Sequence, residues 1–322
     1  MPVRHRLLAI AVAVLWGLNF IAISASLEQF PPLLLVALRF AVIALPTVLL
    51  VPWPGVPVRW LLLYGTGFGV LQFLFLYTAM AAGMPAGLAS LVLQSSAPFT
   101  VVLGALLLRE RLTGRQVIGI LVAVAGLCVV GAQRWESAAL LPFLLTVAGG
   151  LGWALGNLGN RLASAGSPNA RPLHLVLWMS VVPPVPLGLA SLVAEGPARI
   201  ASSFTSLGSA TGLLALAGLG YTVLLGTLAG SGLWTHLMAR HPASRVAPYS
   251  LLVPVVGITA AWLLLDERPT GLELLGSAVV VAGVLYGSTR RGRQTPEPAP
   301  GPVPDELAEP ERVPAGSRDS GS

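Results

Sequence analysis

The sequence predicts an all-α, polytopic membrane protein of ten transmembrane helices, built as two inverted repeats of five. Three observations carry that prediction. Of 322 residues, 55% are hydrophobic and only 10% charged, against about 25% charged in soluble domains. The apolar residues gather into ten stretches of about twenty, the length that crosses a bilayer. A string of landmarks in the first half also returns in the second at a nearly fixed offset of 157 residues.

Composition fixes the solvent. A mean hydropathy of +0.79 leaves too little polar surface to meet water, so lipid must surround most of the chain. All 19 basic residues are arginine and the net charge is +6. In a soluble protein a pI near 10.4 would point to nucleic acid. Here it reads as basic cytoplasmic loops, and no nucleic-acid partner is expected. The lone Cys128 allows no disulfide or cysteine-based metal site within one chain. No cofactor motif is found. No His-Glu-x-x-His, membrane aspartate pair or Ser-His-Asp set supports an enzyme.

The spans fall near 7–27, 31–52, 60–82, 86–108, 114–132, 138–162, 172–194, 208–235, 243–265 and 271–288. Arg4 and Arg6 before the first run, with Ala22-Ile23-Ser24 inside it, imitate a cleaved leader. The run reaches Leu27, however, which is long enough to span, and it carries Trp16 and Asn19. Residues 1–133 form the first repeat and 138–288 the second. The Pro-rich tail 289–322 has almost no large apolar residues and is expected to be disordered.

Orientation follows from arginine. With the N-terminus inside, the inner segments hold Arg4, Arg6, Arg59, Arg109, Arg111, Arg115, Arg161, Arg171, Arg240, Arg245, Arg290, Arg291 and Arg293. The outer segments hold only Arg134, Arg199 and Arg268. Both termini are therefore expected in the cytoplasm.

In the repeat, Met84-Pro85-Ala86 matches His241-Pro242-Ala243, and Leu108-Arg109-Glu110-Arg111 matches Leu265-Asp266-Glu267-Arg268. Gly119 and Gly126 match Gly276 and Gly283. Five spans per half turn the second half over relative to the first. Many alternating-access transporters are built this way, with substrate near the midplane between the repeats. Thr113–Gln116 and Thr270–Glu273 fit capping boxes that start the fifth and tenth helices. Pro98 and Pro254 lie mid-span in the fourth and ninth, where each frees a carbonyl on the preceding turn. They read as paired hinges or as packing kinks.

Polar groups at membrane depth are the default site candidates. Asn19 lies about twelve residues into the first span; its amide both donates and accepts, which suits a zwitterion. Gln94 and Gln72 sit near the middle of theirs. Trp153, Asn157 and Asn160 share one face of the sixth helix. Arg39 is the one strong charge well inside a span and could bind a carboxylate or snorkel outward. Tyr249 is a candidate cavity residue. The substrate-binding set is therefore Asn19, Arg39, Gln94, Trp153, Asn157 and Tyr249, with Pro98 and Pro254 as hinges and no metal ligands. No Asp or Glu lies in a span interior, so proton coupling stays open, as does the choice between monomer and homodimer.

Several of these blocks resemble a known family. Trp16-Gly17-Leu18-Asn19-Phe20, Leu38-Arg39-Phe40, Gly83 through Gln94, and Val246-Ala247-Pro248 leading into Ser250 through Gly257 are similar to the EamA domains of the drug/metabolite transporter superfamily. Within it they are most like bacterial O-acetylserine/cysteine exporters. The likeness covers residues 1 to about 288. It implies inner-membrane efflux of cysteine, O-acetylserine and related small metabolites. Efflux of drugs or of threonine- and homoserine-like amino acids is the alternative.

Overall fold

The computed structural model describes residues 1–132, 140–165, 167, 170–241 and 243–288. The expected tail 289–322, the bounds at 133 and 138, and Arg134, Pro242, Arg290, Arg291 and Arg293 lie outside the described residues.

Among the described residues there is no strand. Ten helices are long and apolar enough to span: α1 Val3–Leu27, α2 Pro32–Leu50, α3 Val58–Ala81, α4 Ala86–Leu107, α5 Gly114–Ala132, α6 Leu140–Ala165, α7 Pro172–Ala194, α8 Ala210–Met238, α9 Pro248–Leu265 and α10 Gly271–Ser288. The protein is a multi-pass membrane protein of two five-helix repeats. Leu45, Leu49 and Leu263 are each at least 70% exposed, as lipid-facing side chains should be.

The helix starts obey local chemistry. Thr113 N donates to Gln116 Oε1 at 2.9 Å and Gln116 N to Thr113 Oγ1 at 3.3 Å. Thr270 and Glu273 repeat the exchange at 2.8 and 3.2 Å. Each pair satisfies two backbone donors that the first turn leaves orphaned. The seventh span, expected at 172–194, consists of two helical pieces, Pro172–Met179 and Pro184–Ala194. Pro183, Pro184 and Pro186 remove the backbone donors that would carry α7 across the gap.

Irregularities recur in pairs. A π-helical stretch runs through Gly65–Gln72 in α3 and another through Thr222–Ala229 in α8. Both limits differ by 157, the offset of the sequence repeat. Arg109 and Asp266, also 157 apart, are the only non-glycine residues with positive φ among the described residues, at 55° and 52°. Each turns the chain out of its helix in a left-handed conformation. A 3₁₀ segment precedes each mid-span proline: Leu93–Ser95 before Pro98, and Ala247–Leu251 before Pro254. The ninth span expected at 243–265 is thus a helix interrupted before Leu252. Pro98 cannot donate to the carbonyl of Gln94, nor Pro254 to that of Ser250, so the ladder opens at both places.

Packing follows the same pairing. Helix α1 packs on α8 and α9 of the other repeat; α6 packs on α3 and α4. Helices α2 and α7, α4 and α9, and α5 and α10 pack as equivalent partners. The repeated glycines make the last contact close: a Cβ on Gly126 would lie 2.8 Å from the carbonyl oxygen of Gly276. Small residues at such crossings let backbones meet where no hydrophobic effect drives association.

Candidate functional site

A cavity of about 480 Å³ lies at the seam of the two repeats. Its walls come from both: Asn19, Arg39, Gln72 and Gln94 from the first, Trp153, Asn157 and Thr227 from the second. It runs from the middle of the bundle toward the end that holds the N-terminus, where Asn160, Thr235 and Ser288 line it.

Arg39 is its main charge. The side chain is only 5% exposed. One guanidinium nitrogen donates to the Tyr77 hydroxyl at 2.9 Å, the other to Thr227 Oγ1 at 3.0 Å. The carbon of the group lies 4.1 Å from the centre of the Phe73 ring and 5.4 Å from that of Phe40. Its Nε has no hydrogen-bond partner. Among the described lining residues there is no carboxylate. Insertion scales put a bare arginine at membrane depth about 3 kcal/mol uphill. Two hydroxyls and two ring faces offset part of that cost and leave a positive centre facing the cavity.

The two π-helices build this arrangement. The first ends at Gln72 and hands on to Phe73 and Tyr77, both of which touch Arg39. The second carries Gly226 and Thr227. Trp16 Nε1 donates to the Gly226 carbonyl at 3.0 Å. A Cβ on Gly226 would lie 2.7 Å from Asn19 Oδ1, so this glycine is what lets Asn19 lie against α8. π-helical turns are often found at functional sites, since the wider turn redirects side chains. Here they bring Trp16, Asn19 and Arg39 to one wall.

Two amide oxygens of these lining residues are unanswered. Asn19 Oδ1 and Gln72 Oε1 are buried and have no hydrogen-bond partner. Asn157 Nδ2 donates to Thr100 Oγ1 at 3.1 Å. Of the expected set, Asn19, Arg39, Gln94, Trp153 and Asn157 line the cavity, and Tyr249 does not. Tyr249 packs with Met1, Leu8 and Trp234 around Ala9, Leu237 and Val246, while its neighbours Pro248 and Ser250 reach the cavity wall. Pro98 and Pro254 are buried in their helices, and of the pair only Pro254's neighbour Val253 and Pro98's neighbour Ala97 line the space.

Sequence reasoning missed Thr227 and the work of two end carboxylates. Glu267 accepts from Ala86 N at 2.8 Å and Gly87 N at 3.0 Å. Glu195 accepts from Leu33 N at 2.7 Å and Leu34 N at 3.1 Å. Each carboxylate of the second repeat thus grips the first turn of a first-repeat helix, where orphan donors and the helix dipole favour negative charge. Both grips lie at the bundle end opposite the N-terminus.

Ten spanning helices around a cavity shared by two repeats define a membrane transporter of small molecules. The EamA-like transporter family matches residues 5–132 and 140–289, and the chain belongs to that family. It is 42% identical over 283 residues to the "Probable amino-acid metabolite efflux pump" of Escherichia coli (strain K12), covering 87% of this chain and 93% of that protein. It is 27% identical over 223 residues to the "Probable terminal-alkyne amino-acid exporter" of Streptantibioticus cattleyicolor, covering 68% and 69%. A solved structure described only as "Crystal structure of protein" shares the fold, with a TM-score of 0.57 at 20% identity over 89% of this chain and 96% of that one.

Proposed function

We propose that the chain exports small amino-acid metabolites of the cysteine and O-acetylserine kind across the cytoplasmic membrane, by alternating access between inverted repeats. The observation that carries this reading is a buried arginine facing a cavity at the seam of the repeats. Two relatives whose names specify amino-acid export support it. The arginine distribution supports a cytoplasmic location for both termini. On that orientation the cavity extends toward the cytoplasm, and the Glu195 and Glu267 grips hold the periplasmic end.

Asn19, Arg39, Gln94, Trp153 and Asn157 then bind substrate, and Pro98 and Pro254 are the paired hinges. At the hinges the missing backbone bonds lower the cost of bending α4 and α9. Release of the periplasmic grips opens the far side.

The test is reconstitution in liposomes loaded with labelled cysteine, O-acetylserine, threonine or a cationic dye. Cysteine and O-acetylserine should leave faster than from protein-free vesicles. Movement of threonine or the dye with neither of these would defeat the substrate assignment.

A further inference from the structure

We infer that the cavity recognises its substrate through a carboxylate held on Arg39, takes the ammonium on the amide oxygens of Asn19 and Gln72, and turns away molecules with net positive charge. This rests on the exporter reading above and specifies the chemistry of its site.

The argument starts from what Arg39 lacks. A guanidinium has five N–H donors in a planar fork. Two contacts are made, to Tyr77 and Thr227, and the Nε donor has none. Phe73 and Phe40 cover ring-facing sides of the group, which holds its plane in place. A fixed, desolvated fork with unused donors is suited to a planar carboxylate, which it meets with two parallel hydrogen bonds. No carboxylate among the described lining residues supplies that partner, so the substrate must.

The acceptors complete the pattern. Asn19 Oδ1 and Gln72 Oε1 are buried, unpartnered and belong to residues of the same wall. A buried acceptor without a donor is costly, and an ammonium brings three N–H groups. Gly226, against Asn19, and Thr227, on Arg39, are consecutive residues, and Gln72 is followed by Phe73, which stacks on Arg39. Donor fork and acceptors therefore belong to adjoining residues of one wall.

The same pattern works against other ligands. A phosphate would meet one arginine and no lysine, which leaves its second charge without a cationic partner. A cationic drug or a diamine would bring positive charge to Arg39 with no lining carboxylate to answer it. In a low-dielectric site that repulsion is felt strongly. Neutral amide acceptors bind an ammonium more weakly than a carboxylate does, so the arginine contact sets the charge preference.

The test uses the purified full chain in detergent and compares acids with their methyl esters by calorimetry. The probes are O-acetyl-L-serine and its N-acetylated form, each as free acid and as methyl ester. Wild type should bind each acid at least about tenfold more tightly than its ester, equivalent to about 1.4 kcal/mol. Arg39→Gln should erase the difference, and Arg39→Lys should restore part of it. Asn19→Leu should weaken O-acetylserine and leave the N-acetylated acid nearly unchanged. The wild-type comparison needs no variant to fold. If neither acid outbinds its ester, the inference is overturned, even where export of amino acids is seen. If only the N-acetylated acid outbinds its ester in an Arg39-dependent way, the carboxylate contact stands and the amino-acid reading fails.

Discussion

Glu267 grips the backbone N–H of Ala86 at 2.8 Å across the boundary between the repeats. It takes Gly87 with its second oxygen at 3.0 Å. Hydrogen bonds to a charged group contribute about 1.5–3 kcal/mol each, so this one side chain can bias a two-state gate. Glu267→Ala should favour opening at that end. A reporter is available in the cavity-lining, buried Ser90. With Cys128 replaced by alanine, Ser90→Cys should react with a membrane-impermeant maleimide from that side about tenfold faster when Glu267 is also alanine. An unchanged rate would show that the grip does not hold the gate.

Gly226 tests the wall that holds Asn19. A Cβ there would lie 2.7 Å from Asn19 Oδ1, the mobile end of a side chain, so the fold can absorb it by displacing that amide. Gly226→Ala should fold and melt nearly as wild type. Substrate affinity should fall about tenfold, the effect of losing one well-placed hydrogen bond to a charged group. Normal affinity would remove Asn19 from the site.

Gly126 tests packing instead. There the added Cβ would lie 2.8 Å from the backbone carbonyl of Gly276, which cannot move aside cheaply. Gly126→Leu should separate α5 from α10 and destabilise by about 1–3 kcal/mol. The expected readout is a lower melting temperature in detergent with lost transport. An unaltered melt would contradict the close crossing.

The N-terminus gives a pH dependence. His5 Nδ1 lies 2.6 Å from His241 Nε2. His241 lies outside the spans; partial burial, then the charges of His5, the N-terminus, Arg245 and Arg240, hold its pKa below the usual 6.5. A depressed histidine pKa means that the unfolded chain binds more protons, so stability rises with pH. The contact is intact while His241 is neutral. It is lost as pH falls below the ordinary value and through the lowered one. Between about pH 7 and about pH 5 the melting temperature of wild type should fall more than that of His241→Gln. Parallel slopes would contradict the assignment.

Much of this was legible in the sequence. The apolar runs gave the ten helices because lipid demands a set length. The offset of 157 residues, 156 at Pro98 and Pro254, located the paired glycines, prolines and capping boxes because equivalent contacts need equivalent residues. Asn19, Arg39, Gln94, Trp153 and Asn157 were found as polar or aromatic groups at depth. The wall around Arg39 was not legible, because it breaks the repeat. Gln72 and Phe73 correspond by offset to Ala229 and Gly230, which carry no comparable chemistry. Thr227 looked like an ordinary helical threonine until the π-helical turn aimed it at Arg39. Tyr249 lies in the 3₁₀ segment Ala247–Leu251 and packs in the cluster around Ala9, Leu237 and Val246 instead of lining the cavity. Glu195 and Glu267 were visible as end carboxylates, but their partners are backbone N–H groups, which no sequence pattern marks.

The central claim is that a substrate carboxylate on Arg39 drives export of a small amino acid. The most direct test is efflux of labelled O-acetylserine from proteoliposomes of wild type and Arg39→Gln at matched protein content. Wild type should export it at a protein-dependent rate, and Arg39→Gln should retain less than about a tenth of that rate, the loss expected when one charge-assisted contact is removed. Equal efflux by the two proteins would contradict the account.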